Sequence, residues 1–164
     1  MFIQNDAAVS KNYQRLVCQA FKDVFTDFNE NATIREFREH VVGDIKRSIQ
    51  RVFPELVLNN LGDPLEDGTF FFDKGISNRF DYQNLSGGEK AAFDLILDLV
   101  VKIRDFDNTI FCIDEPELHM NARLQGNRLQ EMYDLVNDNS QLWIATHSIG
   151  MMRKAKDLEV QSPG

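Results

Sequence analysis

Ser86, Gly87 and Gly88, the adjacent acids Asp114 and Glu115, and His147 are the residues in this sequence whose types and spacing could do chemistry. Gly87 and Gly88 let the backbone approach an anion closely, and the first amides of a helix starting there would point at it with a favourable dipole. A phosphate would be held between Ser86 Oγ and the Gly88 amide. Leu85-Ser86-Gly87-Gly88-Glu89 also satisfies the Ser-x-x-Glu capping box, so these residues make a sound helix start with or without a ligand. Asp114 and Glu115 follow an apolar run at 110–113, which places them at the C-terminal end of a strand, where ligands of open α/β sheets bind. Two neighbouring carboxylates repel each other there unless a cation or a reaction employs them. Acids followed by Pro116 also suit the first turn of a helix, an account that explains Glu117 better than the Asp–Glu pair. His147 follows a second apolar run, at 142–145, between Thr146 and Ser148, which are able to cap the next helix. Its imidazole donates a hydrogen bond in either charge state. Taken in order, these segments read as half of a nucleoside triphosphate site.

Such residues need a scaffold, and the hydrophobic pattern supplies one. In residues 86–104, Lys90, Asp94, Asp98 and Lys102 form one stripe, while nearly everything else is apolar. A helix apolar on most of its circumference belongs inside a layered α/β domain. The unalternated runs at 109–113 and 142–145 are typical of strands covered on both faces of a parallel sheet. Leu118, Ala122, Leu129, Tyr133 and Val136 outline a helix between them, and another is expected over 148–156. Strand, helix, strand, helix is the pattern of a doubly wound sheet. The expected fold class is therefore α/β, with parallel strands covered by helices.

Upstream, Val9, Tyr13, Leu16, Ala20, Val24 and Phe28 recur at the helical period, and turn-forming residues follow at 27–31. Thr33 and Glu36 fit a second capping box, and Ile34, Phe37, Val41, Ile45, Ile49 and Val52 share one face until Pro54 stops the helix. Two such helices predict an antiparallel hairpin over residues 1–54, suited to packing or to the base of a longer helical arm. Residues 56–58 and 69–72 read as short strands, separated by turn signals at Gly62-Asp63-Pro64 and Asp67-Gly68. They open a second region, 55–164, which ends in an expected loop at 161–164.

The totals narrow the function further. A chain of 164 residues can bury a real core, and its formal charge of −8 argues against a broad electrostatic footprint on nucleic acid or an anionic membrane. No apolar run approaches the length of a membrane span, and no signal-peptide pattern opens the sequence. Cys18 and Cys112 lack metal-ligand spacing and read as reduced, buried thiols of a cytosolic protein.

In this order, Leu85 to Glu89, Ile110 to Pro116 and Ile144 to Ser148 resemble the signature, Walker B segment and switch histidine of ABC-type ATPases, the C-terminal portion of a P-loop NTPase domain. Asp114-Glu115-Pro116-Glu117-Leu118-His119, followed by Arg123-Leu124-Gln125, is similar to soluble ATPases of the OLD (overcoming lysogenisation defect) and AAA-like ABC group. Many of those act in anti-phage defence or DNA maintenance. Residues 144–153 are also similar to ATPases of Septu- and retron-type defence systems. The resemblance covers residues 55–160 and implies ATP and Mg²⁺. Asp114 would orient the ion, Glu115 would polarise the attacking water and His147 would contact the γ-phosphate. In the family's dimers ATP is sandwiched between subunits. Ser86, Gly87 and Gly88 would then bind nucleotide in trans, within a homodimer or higher oligomer. Where the group often has a second His-Pro, this chain has Asn121-Ala122, so His119 is expected to be loop structure.

One family element has no counterpart. No Gly-x-x-x-x-Gly-Lys-Ser/Thr occurs in the sequence, and no strand precedes the first helix to carry one. The family's glutamine loop is also unassigned. The implied partner is an N-terminal lobe bearing Walker A, without which this chain would be inactive. The helical pair would pass ATP-driven closure to an effector protein. The alternative is a non-catalytic interaction module that keeps the lobe's fold. A nucleic-acid-binding domain finds no basic stripe or base-stacking aromatic pattern to support it.

Overall fold

A computed structural model describes residues 4–26, 31–63 and 68–161. Phe28, most of the turn at 27–31, Pro64, Asp67, the Val9 side chain and the loop beyond Gln161 lie outside the described residues. By compactness the chain divides into two units, one of residues up to 50 with 54–84, the other of residues 51–53 with 85 onward.

In the first unit, α1 (Gln4–Thr26) and α2 (Ile34–Val52) precede three antiparallel strands, β1 (Leu56–Leu61), β2 (Phe70–Lys74) and β3 (Ser77–Asp81). The capping box forms as its residues require: the Thr33 N–H donates to Glu36 Oε2 at 2.7 Å, and the Glu36 N–H donates to Thr33 Oγ1 at 3.2 Å. His40 Nε2 meets Asp23 Oδ2 at 2.8 Å across the helical pair. Tyr13 joins the helices to the sheet. Its hydroxyl donates to the Gly62 carbonyl at 2.6 Å, and its ring lies edge-on to buried Phe70. The antiparallel sheet thus groups with the helices, whereas the sequence pattern had assigned residues 55–84 to the later lobe. Strand β3 escapes sequence reading because Ser77, Asn78 and Arg79 are exposed and polar. It follows a turn at Gly75, whose φ of +57° suits a residue without Cβ.

The second unit contains α3 (Gly87–Asp105), β4 (Ile110–Asp114), α4 (Ala122–Leu135), β5 (Gln141–Ala145) and α5 (Ile149–Gln161). Strands β4 and β5 pair in parallel, with Asp114 opposite Ala145. The polar stripe of α3 carries an ion pair between Asp98 and Lys102, while Phe93, Ile96, Leu97, Leu99 and Val100 are buried. Phe111 packs with Leu99, Leu129, Met132, Met151 and Leu158, and Ile113, Leu142 and Ile144 rest against that cluster. These strand residues alternate, so they define one face, and the α/β fold class holds with helices over it.

The other face is open in this chain. Ile110 is 53 % and Trp143 60 % exposed, and Cys112, Asp114 and Ala145 are exposed beside them. Coverage on both faces, expected from the apolar runs, is therefore corrected: an unalternated run reports that a strand is apolar on both sides, and here only one side is packed. The same finding corrects the expected burial of the cysteines, since both thiols are exposed, Cys112 on this open face and Cys18 on α1.

Arg51, from the last turn of α2, belongs to the second unit and grips the carboxylate of Glu131 with both Nε (2.5 Å) and Nη2 (2.6 Å). The Glu131 side chain is 2 % exposed and that of Arg51 55 %. Removing the arginine strands a buried carboxylate, although a half-exposed partner gives less than a fully buried one. Arg51→Ala should cost about 2 kcal/mol, below the range for deeply buried pairs, read as a lower urea midpoint at unchanged slope.

Candidate functional site

Strand β4 ends at Asp114, and the Glu115 N–H extends the parallel ladder by donating to the Ala145 carbonyl at 2.8 Å. The chain then turns sharply. Glu115 and His119 adopt left-handed φ values of 45° and 62°, and Leu118 N–H and Met120 N–H donate to the Glu115 and Glu117 carbonyls. Helix α4 starts only at Ala122, capped by Asn121, whose Oδ1 accepts from the Arg123 N–H. The alternative reading of Asp114-Glu115-Pro116 as a helix N-terminus is therefore corrected, and Leu118, expected in that helix, is an exposed loop residue.

Asp114, Glu115 and His147 gather at the C-terminal ends of β4 and β5. His147 Nε2 lies 3.6 Å from Glu115 Oε1, with the imidazole 90 % and the carboxylate 46 % exposed. That separation is beyond a hydrogen bond but leaves both groups facing one region of solvent. Asp114 alternates with Ile113 and so belongs to the open face of the pair. Among the described residues no group of three potential ligands could by itself hold a metal ion. One carboxylate at a strand mouth suits Mg²⁺, which keeps several waters and takes its other oxygens from substrate phosphates.

Ser86, Gly87 and Gly88 stand at the start of α3 and make no hydrogen bond to Asp114, Glu115 or His147. The capping box is complete: the Ser86 N–H and hydroxyl both donate to Glu89 Oε2, at 2.8 and 2.7 Å, and Ser86 Oγ accepts from the Glu89 N–H. The two glycines differ. A Cβ on Gly87 would meet nothing within 4 Å, so that position can receive an outside group. A Cβ on Gly88 would lie 2.6 Å from the His119 carbonyl oxygen. Gly88 is thus required by the close approach of α3 to the loop at 115–121, a role that the anion-binding expectation overlooked. The His119 carbonyl makes that contact, in keeping with a loop role.

Glu117 is the residue that sequence reasoning missed. Its Oε1 accepts from Thr146 Oγ1 at 2.6 Å and from the His147 N–H at 2.8 Å, while its Oε2 is buried with no hydrogen-bond donor. Burial pushes this carboxyl up, but the hydrogen bonds from Thr146 and nearby backbone amides outweigh it and hold the group below its ordinary 4.5. Arg128, 3 % exposed, donates from Nη2 to the Ala91 carbonyl at 2.7 Å. Burial pushes that guanidinium down to about 10 against the opposing pull of Glu117 and Asp94. Ser148 caps α5, its Oγ accepting from the Met151 N–H at 3.1 Å and donating to Gln125 Oε1 at 2.5 Å. The available signal was an acid just past a strand-end acid pair, matched by a hydroxyl directly before the histidine.

The parallel strand pair carries two acids and a histidine at its carboxyl ends, beside a capped glycine-flanked helix, and the family whose model matches the chain is one of AAA domains. Residues 5–153 match the family described as "AAA domain, putative AbiEii toxin, Type IV TA system", and the chain belongs to that family. No curated protein matches it in sequence. The fold is similar to that of a structure described under ATP-driven dimerisation and DNA-stimulated activation of SMC ATPases (TM-score 0.52, 16% identity, 73% of this chain and 77% of that one). It is likewise similar to an Smc head domain with a coiled coil and joint from Pyrococcus yayanosii (TM-score 0.57, 17% identity, 73% of this chain, 24% of that one). An Smc head domain with an extended coiled coil from Pyrococcus furiosus gives a TM-score of 0.56 at 15% identity, over 73% of this chain and 31% of that one. The chain therefore spans a quarter to a third of those two head structures.

Two outcomes follow from this geometry. Gly88→Ala should lower stability by about 1–3 kcal/mol because the His119 carbonyl must move, whereas Gly87→Ala should fall within about 0.5 kcal/mol of the parent, as thermal melts would show. The depressed carboxyl of Glu117 gives stability that is present above the ordinary glutamate value and lost as pH falls through the folded one. The gap in urea midpoint between the parent and Glu117→Gln should accordingly shrink as pH is lowered from neutral into that acidic range.

Proposed function

We propose that this chain is the C-terminal portion of a cytoplasmic ABC-type ATPase that binds and hydrolyses ATP at a dimer interface. The observation that carries the proposal is the convergence of Glu115 and His147, 3.6 Å apart, beside Asp114 at one mouth of the parallel strands. Glu115 polarises the attacking water and takes up its proton. His147, almost fully in solvent, donates a hydrogen bond to the γ-phosphate. Asp114 would hold Mg²⁺, which would supply charge neutralisation to the nucleotide's phosphates. Ser86 and the Gly87 and Gly88 amides meet the nucleotide of a second subunit, where the space beside Gly87 leaves room for a phosphate.

A phosphate-binding loop is absent from these residues, and the open face of β4 and β5 supports its lying on a separate N-terminal lobe that covers Ile110, Cys112 and Trp143. The family description names a toxin–antitoxin system. Together with the motif similarity to OLD, Septu and retron ATPases, this favours a defence or DNA-maintenance assembly, with the helical pair at residues 1–54 transmitting closure to an effector protein.

This chain alone should show negligible ATP turnover, and adding the Walker A-bearing lobe should restore it. Glu115→Gln in the restored protein should then lower kcat by roughly 10²–10⁴-fold, as loss of a general base does, while ATP stays bound. The lobe should also protect Cys112, but not Cys18, from a thiol reagent. Robust hydrolysis by the isolated chain would contradict the proposal. Partner association that ignores ATP and tolerates Ser86→Arg would identify a non-catalytic interaction module instead.

A further inference from the structure

The imidazole of His147 is 90 % in solvent, so packing does little to hold it and the backbone decides where the ring stands. Strand β5 ends at Ala145, and Thr146 is the residue between the strand and the histidine. A threonine hydroxyl has one proton to give and two lone pairs to accept with. That of Thr146 lies 2.6 Å from Glu117 Oε1 and 3.8 Å from Met151 Sδ, and the nearer, charged acceptor takes the proton. The same hydroxyl oxygen accepts from the Ser148 N–H at 3.0 Å. One side chain thus bridges Glu117, in the loop that also carries Glu115, to the backbone on the far side of the histidine. The His147 N–H closes the arrangement by donating to Glu117 Oε1 at 2.8 Å. Ser148 caps α5, so the Thr146 hydroxyl is not spent on the helix start.

We infer that Thr146 is a positioning residue: its hydroxyl holds the loop bearing Glu115 against the turn bearing His147 and so sets the distance between those two side chains. The inference rests on the proposed function for the task that the pair performs; the bridge itself is a property of this chain. The bond from the Glu115 N–H to the Ala145 carbonyl aligns the two chain segments at the strand ends. The Thr146–Glu117 bond keeps them together beyond that point. Without it Glu115 and His147, now 3.6 Å apart, are free to separate, and water and γ-phosphate are no longer met side by side. Valine has nearly the shape of threonine but no hydroxyl, and serine keeps the hydroxyl, so the two substitutions separate hydrogen bonding from packing.

Amide hydrogen exchange on this chain tests the bridge without any need for turnover. Thr146→Val should lower protection of the His147 and Ser148 amides about tenfold, the effect of losing a hydrogen bond to a charged group, while Phe111 and Ile144 in the paired strands keep theirs. Thr146→Ser should stay close to the parent. If the valine variant does not fold, the parent decides by NMR: a Thr146 hydroxyl proton that exchanges slowly with water supports the bridge, and one in fast exchange overturns it. Unchanged protection at both amides in folded Thr146→Val would also overturn the inference. With the Walker A-bearing lobe restored, Thr146→Val should lower kcat about tenfold or more with little change in KM for ATP, and Thr146→Ser should recover most of it. Lost protection with an unchanged kcat would leave Thr146 a structural residue and remove its positioning role. No turnover by the restored parent would sink the proposed function and leave the exchange result standing.

Discussion

The parallel pairing of β4 with β5 is the constraint from which the rest of the second unit follows. Its register sets Asp114 level with Ala145, so the chains leaving both strands emerge at one height. The Glu115 N–H bond to the Ala145 carbonyl carries that alignment one residue past the last ladder pair. Because side chains alternate along a strand, a slip of one residue would move Phe111 and Ile113, or Leu142 and Ile144, off the helices. The hydrophobic core therefore fixes which face Asp114 occupies, and with it the side from which any ligand of that acid must come.

The loop at 115–121 shows how closely the surrounding parts are fitted to one another. At one end it brings Glu115 to His147, in its middle Glu117 holds Thr146 and the His147 backbone, and at the far end the His119 carbonyl presses against Gly88. Gln125 adds a further stitch, donating to the Met120 carbonyl and accepting from Ser148. Two non-glycine residues in left-handed backbone within so short a loop cost of order 1–2 kcal/mol each. Such conformations persist where neighbouring contacts over-determine them, and here those contacts come from α3, α4 and the chain after β5.

The sequence made the elements legible where hydrophobic periodicity was strong. Helix α3 announced itself by a polar stripe and a capping box, and the strands at 110–114 and 141–145 by their apolar runs. It also placed Asp114, Glu115 and His147 correctly at strand ends, because a strand end is a local property. What it hid was pairwise and non-local. Glu117 passes for a helix-start acid until the fold lays Thr146 against it, and the packing demand on Gly88 is invisible until the His119 carbonyl is seen against it. Strand β3 was hidden because Ser77, Asn78 and Arg79 face water and carry no alternation. The open sheet face was hidden because apolar composition does not tell which surface a neighbour covers.

That open face carries a consequence for how the molecule can be observed. Trp143, the one tryptophan in the sequence, stands opposite Cys112 in the strand register with its indole mostly in water. Its Nε1–H donates only to Gln141 Oε1 on its own strand. Any layer laid across the two strands would move the ring from a polar to an apolar setting. The chain thus carries an intrinsic fluorescent gauge of whatever covers that face, legible without a label.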